Sequence, residues 1–166
     1  MKRLLLVLLM SPLLVGVSMA QVVELPEIEI KATNYKYLSA MGEEAAVPVK
    51  ELENAVADFD VRSADFYQDE YSTYLVSFYI PEGKILASYD GEGNLLRTAE
   101  RFKNVKVPKA VRKSIAKKYP SWSITEDVYR VTYHDSKGKA NKRYKLVLEN
   151  AGKRMRVKVD ENGEFI

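Results

Sequence analysis

Along residues 47–166 the apolar positions change period three times, from a helical stripe to strand alternation, back to a stripe, and to alternation again. Val49, Leu52, Val56 and Phe59 recur at spacings of three, four and three, and Pro48 stands where a first helical turn needs no N–H. This spacing predicts a helix whose opposite, polar face carries Glu51, Glu53 and Asp58. Strand-like runs follow at residues 61–68, 72–80, 84–90 and 95–102, separated by turn-forming Pro81, Glu82 and Gly83 and by residues 91–94. Val107 and Pro108 then restart the pattern. Val111, Ile115 and Tyr119 make a second stripe that Pro120 ends, and further runs occupy 123–135, 140–150 and 153–161, with a stub at 164–166.

The second half therefore reads as a diverged copy of the first. Val47 and Pro48 return as Val107 and Pro108 at an offset of sixty, and Asp90 returns as Asp160 at an offset of seventy. The expected fold is α+β: one domain over residues 47–166, built of two repeats (47–102 and 107–166). They would share one antiparallel sheet of roughly eight strands, with two helices on one face. Ahead of it, residues 21–46 read as an arm and linker. There Glu27, Ile28, Glu29 and Ile30 alternate behind Pro26, in the manner of an edge strand.

Residues 1–20 have the form of a secretory signal. Lys2 and Arg3 precede an apolar run interrupted by Ser11, Pro12 and Gly16, and Ser18 and Ala20 supply the small residues that a signal peptidase reads. Cleavage after Ala20 would remove two cations and no acid, taking the net charge from +3 to +1. The expected location is periplasmic or secreted, soluble, with no transmembrane anchor after cleavage. With no Cys in the chain, the fold must hold without disulfides, and the new amino terminus cannot be lipidated on cysteine. Eleven Tyr, against five Phe and one Trp, suit half-buried strands.

Candidate chemistry is sparse. His134 is the one histidine, and neighbouring Asp135 would point to the other face of a strand, so no base–partner pair forms. Histidine and cysteine numbers exclude the common zinc sites, and no Gly-rich phosphate loop opens a helix. Asp90, Glu92 and Asn94 place oxygens as a calcium loop does, yet the glycine required at loop position six is Leu95, and Arg101 occupies position twelve. These residues and their counterpart at Asp160 read as hairpin turns. No catalytic residue, cofactor or metal is expected.

The strand faces say more. With Tyr74, Val76, Phe78, Tyr129, Val131, Tyr144, Leu146 and Val157 turned toward the helices, the opposite face carries Arg130, Arg143, Lys145, Arg154, Arg156 and Lys158 against the single acid Glu149. Tyr71 and Tyr79 extend that face with aromatic anchors. Like charges on paired strands destabilise a sheet, so a function in binding something anionic follows. The partner would be an exported or envelope protein with an acidic surface. The alternatives are a structural envelope module that binds anionic glycan or lipid headgroups, and a hydrolase with an unrecognised carboxylate site. Export argues against nucleic acid.

Three segments carry a resemblance: Val107, Pro108, Lys109, Ala110 and Val111; Lys117, Lys118, Tyr119 and Pro120; and the closing hairpin from Arg156 through Asp160 and Gly163 to Glu164. Across residues 47–166 the chain resembles the PepSY-like exported proteins of Gram-negative bacteria, whose fold is similar to that of the β-lactamase inhibitor protein. The resemblance implies two tandem α/β units in an eight-stranded sheet, and binding or inhibition of another protein rather than catalysis. The namesake inhibitor is disulfide-bonded; this chain, without Cys, departs from it there.

Overall fold

The computed structural model describes residues 32–166. The expected signal segment 1–20 and the alternating stretch at Glu27 to Ile30 lie outside the described residues. Alternation builds a single six-stranded antiparallel sheet in which every strand pairs with its neighbours in sequence. The strands are β1 (Thr73–Ile80), β2 (Gly83–Asp90), β3 (Leu95–Lys103), β4 (Ser123–His134), β5 (Lys139–Asn150) and β6 (Lys153–Asp160). Three helices accompany them: α1 (Ala32–Met41), α2 (Val47–Asp58) and α3 (Lys109–Lys118), the last bridging β3 and β4. The class is α+β, as expected, and the described residues hold six strands in place of eight and three helices in place of two.

Each difference has a local cause. In residues 61–68 only Val61 is buried, and the Asp60 carboxylate accepts from the Arg62 N–H while Ser63 Oγ donates to the Asp60 carbonyl. Those bonds wind Val61–Ser63 into a 3-10 turn rather than a strand. The terminal stub makes one bridge, Val159 to Phe165, with the Ile166 N–H on the Lys158 carbonyl. It is too short to ladder further. Helix α1 went unforeseen because its buried stripe, Asn34, Tyr37 and Met41, contains a single aliphatic-like side chain.

The buried residues of all three helices join one face of the sheet in a single core. Val49, Leu52 and Val56 of α2, and Val111 and Ile115 of α3, lie among Ile85, Tyr89, Phe102, Tyr129, Tyr133, Leu146 and Val159. Phe59 and Tyr119 fall just past their helix ends and are half-buried there, Phe59 packing edge-on against Phe78. Gly163, at φ 86°, lets the final turn press on α3: a Cβ there would lie 2.7 Å from the Ser114 Cβ.

With no disulfide, this packing carries the stability. Leu146 is 1% exposed at the centre of β5, so Leu146→Ala will cost about 2–5 kcal/mol. Lys145→Ala, one residue away on the exposed face, will cost far less. Denaturant titration of the two variants tests the face assignment, and equal midpoints would invert it. Among the described residues, no helix is long and apolar enough to cross a membrane.

Candidate binding face

The face of the sheet turned away from the helices is ordered by register. Tyr79 stands opposite Lys84, Lys84 opposite Arg101, Arg101 opposite Arg130, Arg130 opposite Arg143, and Arg143 opposite Asp160. Four cations thus lie in one row across β2, β3, β4 and β5. Strands are about 4.8 Å apart, so the row spans roughly 14 Å. A second row runs beside it, from Lys103 past Val128 to Lys145 and Lys158. All seven of these cationic side chains belong to exposed residues.

The crowding has an electrostatic consequence. Repulsion from Arg130, then desolvation, then Lys158 and Arg101 lower the Lys145 ammonium below its usual range. A face built this way resists its own charge and gains from any anion laid across it. Guanidinium groups at three of the four positions in the first row suit carboxylate or phosphate, which they can grip through two parallel hydrogen bonds.

All six expected cations are on exposed positions, but they are not equivalent. Arg154 is held at the corner by Glu126, at 2.5 Å, and by Glu149 at 3.9 Å. It is therefore a locally compensated charge. Arg143 Nε donates to Asn141 Oδ1 at 2.8 Å, which fixes its direction along the face. Arg156 stands opposite Val147. Tyr79 lies at the end of the first row, with Lys84 Nζ 6.0 Å from its ring centre. Tyr71 does not join the face: it precedes β1, its N–H bonds the Gln68 carbonyl, and its ring lies edge-on to buried Tyr74.

Lys84, Arg101 and Lys103 are the members that sequence reading missed. Arg101 and Lys103 flank buried Phe102, a visible alternation, but their meeting with Arg130 depends on register between distant strands. Beyond the cations the face turns apolar, with Leu75 62%, Tyr79 67% and Leu86 41% exposed.

The covered face holds a second cluster. Glu53 was expected on the polar side of its helix, yet it is 2% exposed, because α1 packs along that side of α2. Glu100, opposite Ile85 and Val131 in the sheet, is 4% exposed. Tyr37 and Thr98 donate to its Oε1 at 2.9 and 2.7 Å, while Glu100 Oε2 and Glu53 Oε1 have no hydrogen-bond partner. Burial, with the Glu100 charge adding to it, pushes the Glu53 carboxyl up to about 8. Burial pushes Glu100 up to about 6 against the two hydrogen bonds. Lys142, which donates to the Met41 carbonyl at 2.8 Å and pairs with Glu161 at 3.1 Å, moderates both.

The remaining candidates are structural. His134 is exposed at the end of β4, and Asp135 is engaged by Lys36 at 3.0 Å and by the Tyr133 hydroxyl at 3.3 Å. The Asp90 carboxylate accepts from the Glu92 and Asn94 backbone N–H groups, and Asp160 accepts from those of Asn162 and Glu164. Both are turn anchors. Among the described residues no group of three or more His, Cys, Asp and Glu is arranged to hold a metal.

Neither a protein-family model nor a curated protein nor a solved structure matches the chain.

Proposed function

We infer that this chain is a non-catalytic binding protein of the cell envelope, which docks an acidic surface of another exported or envelope protein on its open sheet face and modulates or inhibits that partner. The observation that carries it is the row Lys84, Arg101, Arg130 and Arg143, four cations directly opposed on four adjacent strands. Such an arrangement costs folding stability, and an anionic partner offsets the cost. Export rests on the signal pattern of residues 1–20, and a non-lipidated, periplasmic or secreted form rests on the missing Cys.

The PepSY-like resemblance and the tandem organisation belong to the same proposal. Two features support them. Helix α2 followed by three strands is succeeded by α3 followed by three strands. The turns at Asp90 and Asp160 are also wired alike, each Asp N–H bonding the carbonyl four residues on and each glycine N–H returning to the Asp carbonyl.

One feature favours a second reading. Leu75, Leu86 and Tyr79 form an apolar ledge beside the cations, the pairing that an anionic lipid headgroup with its chains would use. A hydrolase gains less support, because the carboxyls of Glu53 and Glu100 are sealed beneath the helices.

Pulldown from an envelope extract, run beside sedimentation with phosphatidylglycerol vesicles, separates these functions. Capture of one stoichiometric protein with no vesicle binding is expected. Co-sedimentation with the vesicles and no protein captured would replace the protein partner by a lipid surface.

A further inference from the structure

The two edges of the sheet are protected unequally. Strand β6 carries Lys153, Arg154, Arg156 and Lys158, and Phe165 and Ile166 bond back onto it. Charges and a covering segment are the ordinary devices against edge-to-edge pairing. Among the described residues, strand β1, Thr73–Ile80, has neither along its length, and the rings of Phe66, Tyr67 and Tyr71 pack only on Tyr74 near its start. It contains no charged residue and no proline, its register with β2 runs unbroken for all eight residues, and among the described residues no strand pairs with its outer side.

Its side chains are also those of an interior strand. Leu75 and Tyr79 stand on the open face at 62% and 67% exposure, while Val76, Phe78 and Ile80 are only partly covered on the helix face. An uncharged, largely apolar edge with unbroken register is a template for another strand.

We propose that β1 is the interface of a symmetric dimer, in which the β1 strands of two copies pair antiparallel about a two-fold axis through Ser77. That register brings Leu75 opposite the second copy's Tyr79, Val76 opposite its Phe78, and Tyr74 opposite its Ile80. Every opposed pair lies on one face of the sheet, as pleating demands, and every aromatic ring meets an aliphatic side chain. No like charges meet, because the strand has none.

A second copy fits better than an acidic or basic peptide, for which the edge offers no complementary charge. The product is a continuous twelve-stranded sheet with both helix layers on one side. On the other side the apolar ledge becomes a central strip flanked by two basic arrays. The pairing is independent of what those arrays bind. One strand pair buries less than a standard interface, so the dimer will dissociate on dilution.

Light scattering on the chain from Gln21 onward, from micromolar to millimolar concentration, reads the mass directly. Twice the monomer mass is expected at the upper end. Leu75→Lys with Tyr79→Lys, both at exposed positions, sets like charges opposite each other twice across the axis and will leave a monomer with unchanged circular dichroism. Because the chain has no Cys, Ser77→Cys gives a single thiol. A short bis-maleimide will link two copies through it, whereas Thr73→Cys, far from the axis, will give little product.

A monomer at every concentration overturns the proposal, as does a dimer that survives the double lysine variant or fails to link at position 77. Removal of residues 21–31 is the remaining arm. If the longer chain is monomeric and the shortened one dimerises, the chain's own amino-terminal segment occupies the edge, and the second copy is excluded.

Discussion

Glu53→Gln will make the protein more stable at pH 8, by roughly 3–4 kcal/mol, and will flatten its stability between pH 6 and 8. In the wild type, burial lifts Glu53 to about 8 and Glu100 to about 6 from an ordinary value of 4.5, and Asp127 to about 6 from 3.8. A carboxyl whose folded pKa is raised holds its proton after the unfolded chain has released it. Folding then takes up protons, and stability falls as pH rises from the unfolded value to the folded one.

All three groups contribute to that fall up to about pH 6, and Glu53 alone continues it to about 8. Each proton is worth at most about 1.4 kcal/mol per pH unit. Glutamine keeps the shape of the protonated acid and cannot ionise, so it removes the upper part of the slope. Urea titrations at pH 5, 6.5 and 8 check this. A wild type equally stable at all three, or a variant that keeps the slope, would mean that Glu53 is solvated.

Arg130→Glu combined with Lys158→Glu will abolish capture of the partner while leaving the fold as stable as before, or about 0.5–1 kcal/mol more stable. Each new carboxylate stands opposite cations: Arg101 and Arg143 at position 130, Lys145 at position 158. Repulsion within the sheet becomes attraction, and Lys145 loses its largest source of lowering. Residues needed for folding would behave in the opposite way, and a melting temperature several degrees lower would show that the cations hold the sheet together. Arg154 is left in place because Glu126 and Glu149 already compensate it.

The two faces of most strands were legible because alternation is a local property. Tyr74, Val76 and Phe78 turn inward and Leu75, Ser77 and Tyr79 outward, as their spacing requires. The row of four cations was not legible, because it is a relation between strands. Lys84 meets Arg101 only once the hairpin and the bulge at Ser88 and Tyr89 have set the register, and Arg101 meets Arg130 only after the chain has crossed through α3 to pair β4 with β3. Burial of Glu53 followed from α1, whose polar stripe of Asn34 and Tyr37 gave no strong helical signal. The 61–68 run failed as a strand because Asp60 offered its backbone a closer hydrogen-bond partner.

Binding by charge at the open face must weaken as salt rises, and that dependence is what separates a docking face from a solvated one. Exposed charges are screened beyond about 8 Å at physiological ionic strength and more closely as salt rises. Envelope extract is passed over immobilised wild type and over the Arg130→Glu, Lys158→Glu variant, each at low and at high salt. One protein is expected to be retained by the wild type at low salt, released at high salt, and never retained by the variant. Equal retention by both, unchanged by salt, would contradict binding by charge and leave the basic face a solvated surface.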